Sequence, residues 1–169
     1  MKFKLYVTLL VVSILVALDQ LTKNLVLAQF RLGESLVIVE NFFNLTFVKN
    51  YGAAFGFLSQ SHPEFREIFF LTMPPVAMVV IGFLLKQAPD KDKLQILALS
   101  GILGGALGNY IDRLRFRYVV DFLDFHWYNQ YSWPAFNIAD SAIVLGVMIL
   151  IYQMILEAKK AKQEASQNK

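Results

Sequence analysis

Cysteine is absent from this 169-residue chain, histidine occurs twice, and charged residues make up only 17%. The first absence excludes disulfides, thiolate nucleophiles and cysteine metal sites. His62 and His126 are the only soft ligands left, too few and too far apart for a metalloprotease H-E-x-x-H pattern. The net charge of +3 is small, and neither a nucleic-acid partner nor a cofactor is expected. No internal repeat and no low-complexity linker divides the chain. What is abundant is apolar surface: 56% hydrophobic residues and 14% aromatic ones, with a mean hydropathy of +0.47. Soluble domains carry about 45–50% apolar and about 25% charged residues.

That excess lies in blocks long enough to cross a bilayer, so residues 1–169 are expected to form one integral membrane domain. Spans are expected at about 4–28, 68–85, 94–111 and 135–156. The basic start and the uncharged Leu5–Leu18 also fit a secretion signal, but Ala17-Leu18-Asp19-Gln20 is a poor cleavage site, which favours an uncleaved helix. Pro74-Pro75 predicts a kink in the second span. In the third, Gly101, Gly104, Gly105 and Gly108 fall on one helical face, the small-residue spacing that lets helices approach closely in lipid. No Gly-Lys-Ser/Thr follows, so this is no phosphate loop. Residues 31–58 read differently: Phe43, Leu45 and Phe47 alternate with Asn44, Thr46 and Val48, the period of a strand. Asn50-Tyr51-Gly52 is a turn signal, and the following Ala53-Ala54-Phe55-Gly56 would admit close backbone approach. Residues 112–134, with Trp127, Tyr128, Tyr131 and Trp133, read as an interfacial aromatic belt. The lysine-rich tail 157–169 is expected to fray.

Four spans put both termini on one side. That side carries Lys2, Lys4, Lys86, Lys91, Lys93, Lys159, Lys160, Lys162 and Lys169 in short segments, which marks it as cytoplasmic. The other side carries Lys23, Arg31, Lys49, Arg66, Arg113, Arg115 and Arg117 over many more residues. The topology then gathers the unusual polar groups at the outer face: Asp19 and Lys23 from the first span, Asn50 from the outer strands, Asn109, Asp112 and Arg113 from the third span, Asn137 and Asp140 at the start of the fourth. Each has a bland explanation. Asp19 and Lys23 make an i,i+4 ion pair, Asp112-Arg113 a surface pair, and Asp140-Ser141 a helix cap or first-turn acid. Asp121 resists one, because Val119-Val120 and Phe122-Leu123 surround it. Asp124 reads as its solvated neighbour, and His126 as interfacial rather than catalytic.

If Asp121 and Asp140 meet, two carboxylates at about 5 Å and an effective dielectric near 20 repel by roughly 3 kcal/mol. That is about two pK units on the second to ionise, and desolvation adds to it. One proton then stays on the pair, the state in which aspartic proteases activate water and polarise a carbonyl. Intramembrane carboxylates also serve proton relays, but those string across the membrane, whereas these gather at one face. A scaffold using only the glycine face leaves the polar cluster unexplained.

Five blocks now stand together: Leu-Asp19-Gln-Leu-Thr-Lys23, Asn50-Tyr-Gly-Ala-Ala-Phe55, Gly104-Gly-Ala-Leu-Gly-Asn109 with Asp112-Arg113, Val119-Val-Asp121-Phe122, and Phe136-Asn-Ile-Ala-Asp140-Ser141. In this order the chain resembles the bacterial lipoprotein signal peptidases (signal peptidase II). The resemblance implies an all-α membrane protein, a four-transmembrane-helix bundle with a small periplasmic β-sheet and an interfacial helix. It implies an aspartic endopeptidase of the inner membrane with catalytic Asp121 and Asp140. Asp19, Asn50, Asn109, Arg113 and Asn137 are implied as supporting residues, beside Lys23, Gly52 and Asp112 in the same blocks. The implied substrate is a prolipoprotein, cut on the amino side of a diacylglyceryl-modified cysteine near the periplasmic face. Membrane lipids are the other expected partners, the chain being a monomer. Asn50-Tyr51-Gly52 is expected to clasp extended peptide by backbone hydrogen bonds, and Arg113, Arg115 or Arg117 to meet lipid phosphate or simply snorkel.

Overall fold

A computed structural model describes residues 2–52, 62–128 and 130–167. Four long helices carry the chain: α1 (Lys2–Gln29), α2 (Pro63–Gln87), α3 (Lys93–Phe116) and α4 (Ile138–Gln167). All four are long and apolar enough to cross a membrane. At 1.5 Å per residue, the 28 residues of α1 reach about 42 Å, longer than a hydrocarbon core of about 30 Å. The helices differ in what surrounds them. In α3, 44% of the most apolar window is buried, against 6%, 11% and 11% in α1, α2 and α4. So α3 is the central helix, packed on each of the others, while leucines and valines such as Leu10, Val79 and Val144 face outward.

The glycine face of α3 makes this packing possible. A methyl on Gly104 would lie 3.2 Å from the Leu15 side chain of α1, and one on Gly105 would collide with the Ala139 carbonyl of α4. Gly108 faces both, with Asp19 Oδ2 at 2.6 Å and Ala139 Cβ at 3.4 Å from the same imagined carbon. Gly146 of α4 reciprocates against Ile102 and Ala98, a small-residue contact that the sequence reading passed over.

Four antiparallel strands lie in the order β1 (Ser35–Val39), β2 (Phe43–Asn50), β3 (Val119–Trp127) and β4 (Tyr131–Ser132). The sheet packs on one end of the bundle, where Val26 of α1, Phe47, Val120 and Phe122 form a core. A second core, Leu85, Ala88, Ile96 and Leu99, closes the opposite end. Asp92 caps α3 there, accepting from the Gln95 amide.

The stretch 112–134 carries regular structure besides its aromatic residues: residues 112–116 finish α3, and Val119–Trp127 is the strand paired with β2, while Trp127, Tyr128, Tyr131 and Trp133 are exposed. Leu123 and Phe136 bridge that strand to the start of α4. The tail does not fray at 157, because α4 stays helical to Gln167. Pro74 and Pro75, where a kink is expected, lie within α2, which is unbroken from Pro63 to Gln87. The outer β-region holds β1 and β2 as expected. Ala53–Gly56 and the remainder of that region lie outside the described residues, among which no fifth helix occurs.

Candidate active site

The site forms where the end of α3, strand β3 and the start of α4 converge. Register sets Asn50 of β2 against Val119 and Val48 against Asp121. The Phe136 carbonyl accepts from the amides of both Phe122 and Leu123, at 3.0 and 2.8 Å, fixing the chain entering α4 beside Asp121. Asn137 then caps α4 reciprocally. Its Oδ1 accepts from the Asp140 amide at 2.9 Å, and Asp140 Oδ2 accepts from the Asn137 amide at 3.3 Å. This capping box satisfies two helix-end donors and fixes the Asp140 carboxylate at the third helical position.

Each carboxylate is gripped by amides. Asp121 accepts from Asn50 Nδ2 at 2.9 Å and from Asn137 Nδ2 at 2.7 Å. Asp140 also accepts from Asn109 Nδ2 at 2.7 Å. Asn137 thus touches both members, and is wholly buried. Asp121 is only 1% exposed. Burial, reinforced by the neighbouring Asp140 charge and opposed by the Asn50 and Asn137 amides, pushes its carboxyl up to about 7.

Behind the pair lies a buried polar core. Lys23 Nζ stands 2.9 Å from Asp19, 3.1 Å from Asp112 and 2.9 Å from Asn109 Oδ1. Its three donors meet three acceptors, which makes its burial tolerable. Asp19 reaches on to the Ala139 amide at 3.0 Å, and Asp112 to the Val120 amide at 3.0 Å. The first contact ties α1 to the amino end of α4, the second ties α3 to β3. Asp19 is thus both the local ion-pair partner of Lys23 and a link across the bundle. Asp112 is corrected: it is fully buried and pairs with Lys23, not a surface partner of Arg113. Arg113 instead stacks over Phe70 and donates Nη2 to the Gly52 carbonyl at 3.1 Å.

Gln20 was missed by sequence reasoning. Its Nε2 lies 2.8 Å from Asp112 Oδ1 and 3.1 Å from the Gly108 carbonyl, and Arg115 donates to its Oε1. An amide between Asp19 and Lys23 in an otherwise apolar span was the available signal. In the stretch expected to clasp peptide, the Gly52 amide donates to Asn50 Oδ1 and the Gly52 carbonyl accepts from Arg113. Asp124, with its side chain 23% exposed, is the more solvated carboxylate, with His126 Nδ1 at 4.0 Å. Among the described residues no group of three or more His, Cys, Asp or Glu is placed to hold a metal ion.

A cleft of about 860 Å³ opens onto Asp121 and Asp140. Strand β2 contributes Val48 and Asn50, the approach to α4 contributes Trp133 and Phe136, and Val144 and Leu145 of α4 continue the wall. Val144 and Leu145 are themselves exposed on the helix surface. The cleft therefore runs from paired carboxylates to an apolar, lipid-facing edge.

A family model described as signal peptidase (SPase) II matches residues 11–156. A lipoprotein signal peptidase of Syntrophotalea carbinolica is 50% identical over 145 residues, covering 86% of this chain and 88% of that protein. One from Syntrophus aciditrophicus is 42% identical over 160 residues, covering 95% and 99%. A solved structure described as a bacterial membrane enzyme, determined by the in meso method, superposes with a TM-score of 0.81 at 30% identity, covering 90% of each chain.

Proposed function

The chain belongs to the signal peptidase II family, and from that membership we propose that Asp121 and Asp140 form the water-activating pair of an aspartic endopeptidase. Removal of signal peptides from lipoproteins is the activity that membership supports. The observation that carries the dyad reading is Asn137, whose side-chain amide donates to Asp121 Oδ1 and whose backbone amide donates to Asp140 Oδ2. In the resting pair a single proton is shared. Asp140 stands in the first turn of α4, accepting from the Asn109 side-chain amide and the Asn137 backbone amide at the positive end of the helix dipole, and takes the ionised role. Asp121, pushed up to about 7, takes the protonated one.

In the reaction, Asp140 removes a proton from water as its oxygen attacks the scissile carbonyl. Asp121 donates its proton to that carbonyl oxygen. When the tetrahedral intermediate collapses, the departing amine takes the proton from Asp140, and Asp121 recovers one from the hydroxyl. The pair ends as it began. The substrate is a prolipoprotein whose cysteine already bears diacylglycerol, cut on the amino side of that cysteine. The lipid-facing rim at Val144 and Leu145 is where such chains can enter without leaving the bilayer. The site sits at the periplasmic face of the inner membrane.

The test is to present purified enzyme with matched precursor peptides, lipidated and unlipidated at the cysteine. Product mass should place the new amino terminus at the lipidated cysteine, and the unlipidated peptide should remain intact. Equal cleavage of both peptides would overturn the substrate assignment.

A further inference from the structure

A second cavity, of about 160 Å³, lies between the start of α2 and the end of α3, and shares Tyr51 and Arg66 with the dyad cleft. Its charged lining is lopsided: Arg66, Arg113 and Arg117 against Glu67 alone. Two of these arginines are held by rings. Arg66 stacks over Tyr51 at 5.1 Å, and Arg113 over Phe70 at 4.9 Å. A guanidinium held over a ring face keeps a fixed place in the lining and carries the forked N–H donors that match phosphate oxygens. Simple snorkelling would send these heads into bulk water. Arg115 shows a different arrangement, on Gln20 and Phe116 and outside the cavity.

Arg117 supplies an independent observation. It ends α3 in the left-handed conformation, φ 65°, where glycine is the easy residue. A long cationic side chain at that strained position lines the cavity, 3.2 Å from Glu67. The helix termini place the cavity at headgroup depth.

We propose that this cavity binds the phosphate of a phospholipid headgroup, with the acyl chains remaining in the surrounding lipid. A diacylglyceryl-cysteine carries no phosphate, so the ligand is distinct from the substrate of the dyad. The assignment stands on the arginine geometry and does not require the peptidase mechanism.

The test uses the full chain, purified and delipidated in detergent, with native mass spectrometry as the readout. Phosphatidylglycerol and diacylglycerol of identical chains are titrated separately. The phosphate-bearing lipid should bind about tenfold more tightly. Arg117→Gly, which suits the backbone at that position, should reduce this preference several-fold, and Glu67→Gln, which removes the competing carboxylate, should increase it. Competition by inorganic phosphate would show that the phosphate alone is recognised; a retained preference without competition would show that the tethered lipid is needed. Equal affinity for the two lipids would overturn the proposal, as would an unchanged preference in Arg117→Gly.

Discussion

Lys23 allows two carboxylates to be buried within a few ångströms of each other. Its ammonium bridges Asp19 and Asp112 while donating to Asn109. Lys23→Leu would strand both acids in the interior, and removal of one partner from a buried ion pair costs about 3–5 kcal/mol. Unfolding measured in detergent should show a loss of that size. Asp121 carries the second residue-scale prediction. Its carboxyl is pushed from 3.8 to about 7, so between these values the folded protein holds a proton that the unfolded chain releases. The stability from this group is present below about pH 4 and lost as pH rises through about 7. Cleavage should therefore decline above about pH 7, as the acid member of the pair loses its proton. The thermal midpoint should instead fall between about pH 4 and about pH 7 and level off above that, and this dependence should shrink in Asp121→Asn. At this scale the sequence was informative where chemistry and setting clash. Asp121 among valines and phenylalanine stood out, whereas Gln20, set between Asp19 and Lys23, gave a weaker signal because its partner Asp112 comes from α3.

Among the elements, the glycine face of α3 and the capping box of α4 set the site together. A side chain on Gly105 would meet the Ala139 carbonyl, one residue before Asp140. Gly105→Ala should therefore push back the amino end of α4, with an overpacking penalty of about 1–3 kcal/mol and a fall in cleavage larger than the fall in folded protein. Gly82→Ala is the control, since nothing lies within 4 Å of its imagined side chain, and activity should be unchanged. The four helices and the face of small residues were legible from local periodicity and composition. Strand β3 was not. Its apolar residues do not alternate cleanly, and its partner β2 lies some seventy positions earlier (Asn50 pairs with Val119). Only that non-local pairing distinguishes Val119–Trp127 from an aromatic surface loop. The end of α4 was misjudged for a related reason: Glu157 to Gln167 is polar, which argued for fraying, yet alanine and lysine are good helix formers and the helix simply continues.

For the whole molecule, the proposed orientation places both termini in the cytoplasm and the sheet outside. The absence of cysteine makes this easy to measure, since any introduced thiol is unique. An impermeant maleimide should label Ser132→Cys in intact spheroplasts, and Lys160→Cys only after the membrane is opened. The reverse pattern would invert the topology. The same architecture brings Asp121 and Asp140, 19 positions apart (140 − 121), to one place: β3 is bridged through Phe136 to the start of α4, and Asn137 donates to both carboxylates. That union is the central claim, and a double-mutant comparison tests it most directly. Processing of a lipidated precursor is measured for the wild type, Asp121→Asn, Asp140→Asn and the double variant, each confirmed to be folded and inserted. Because the two carboxyls work as one unit, each single change should lower the rate by about a thousandfold or more, and the double variant should be little worse than either. A folded single variant that still cleaves at near wild-type rate would contradict the account.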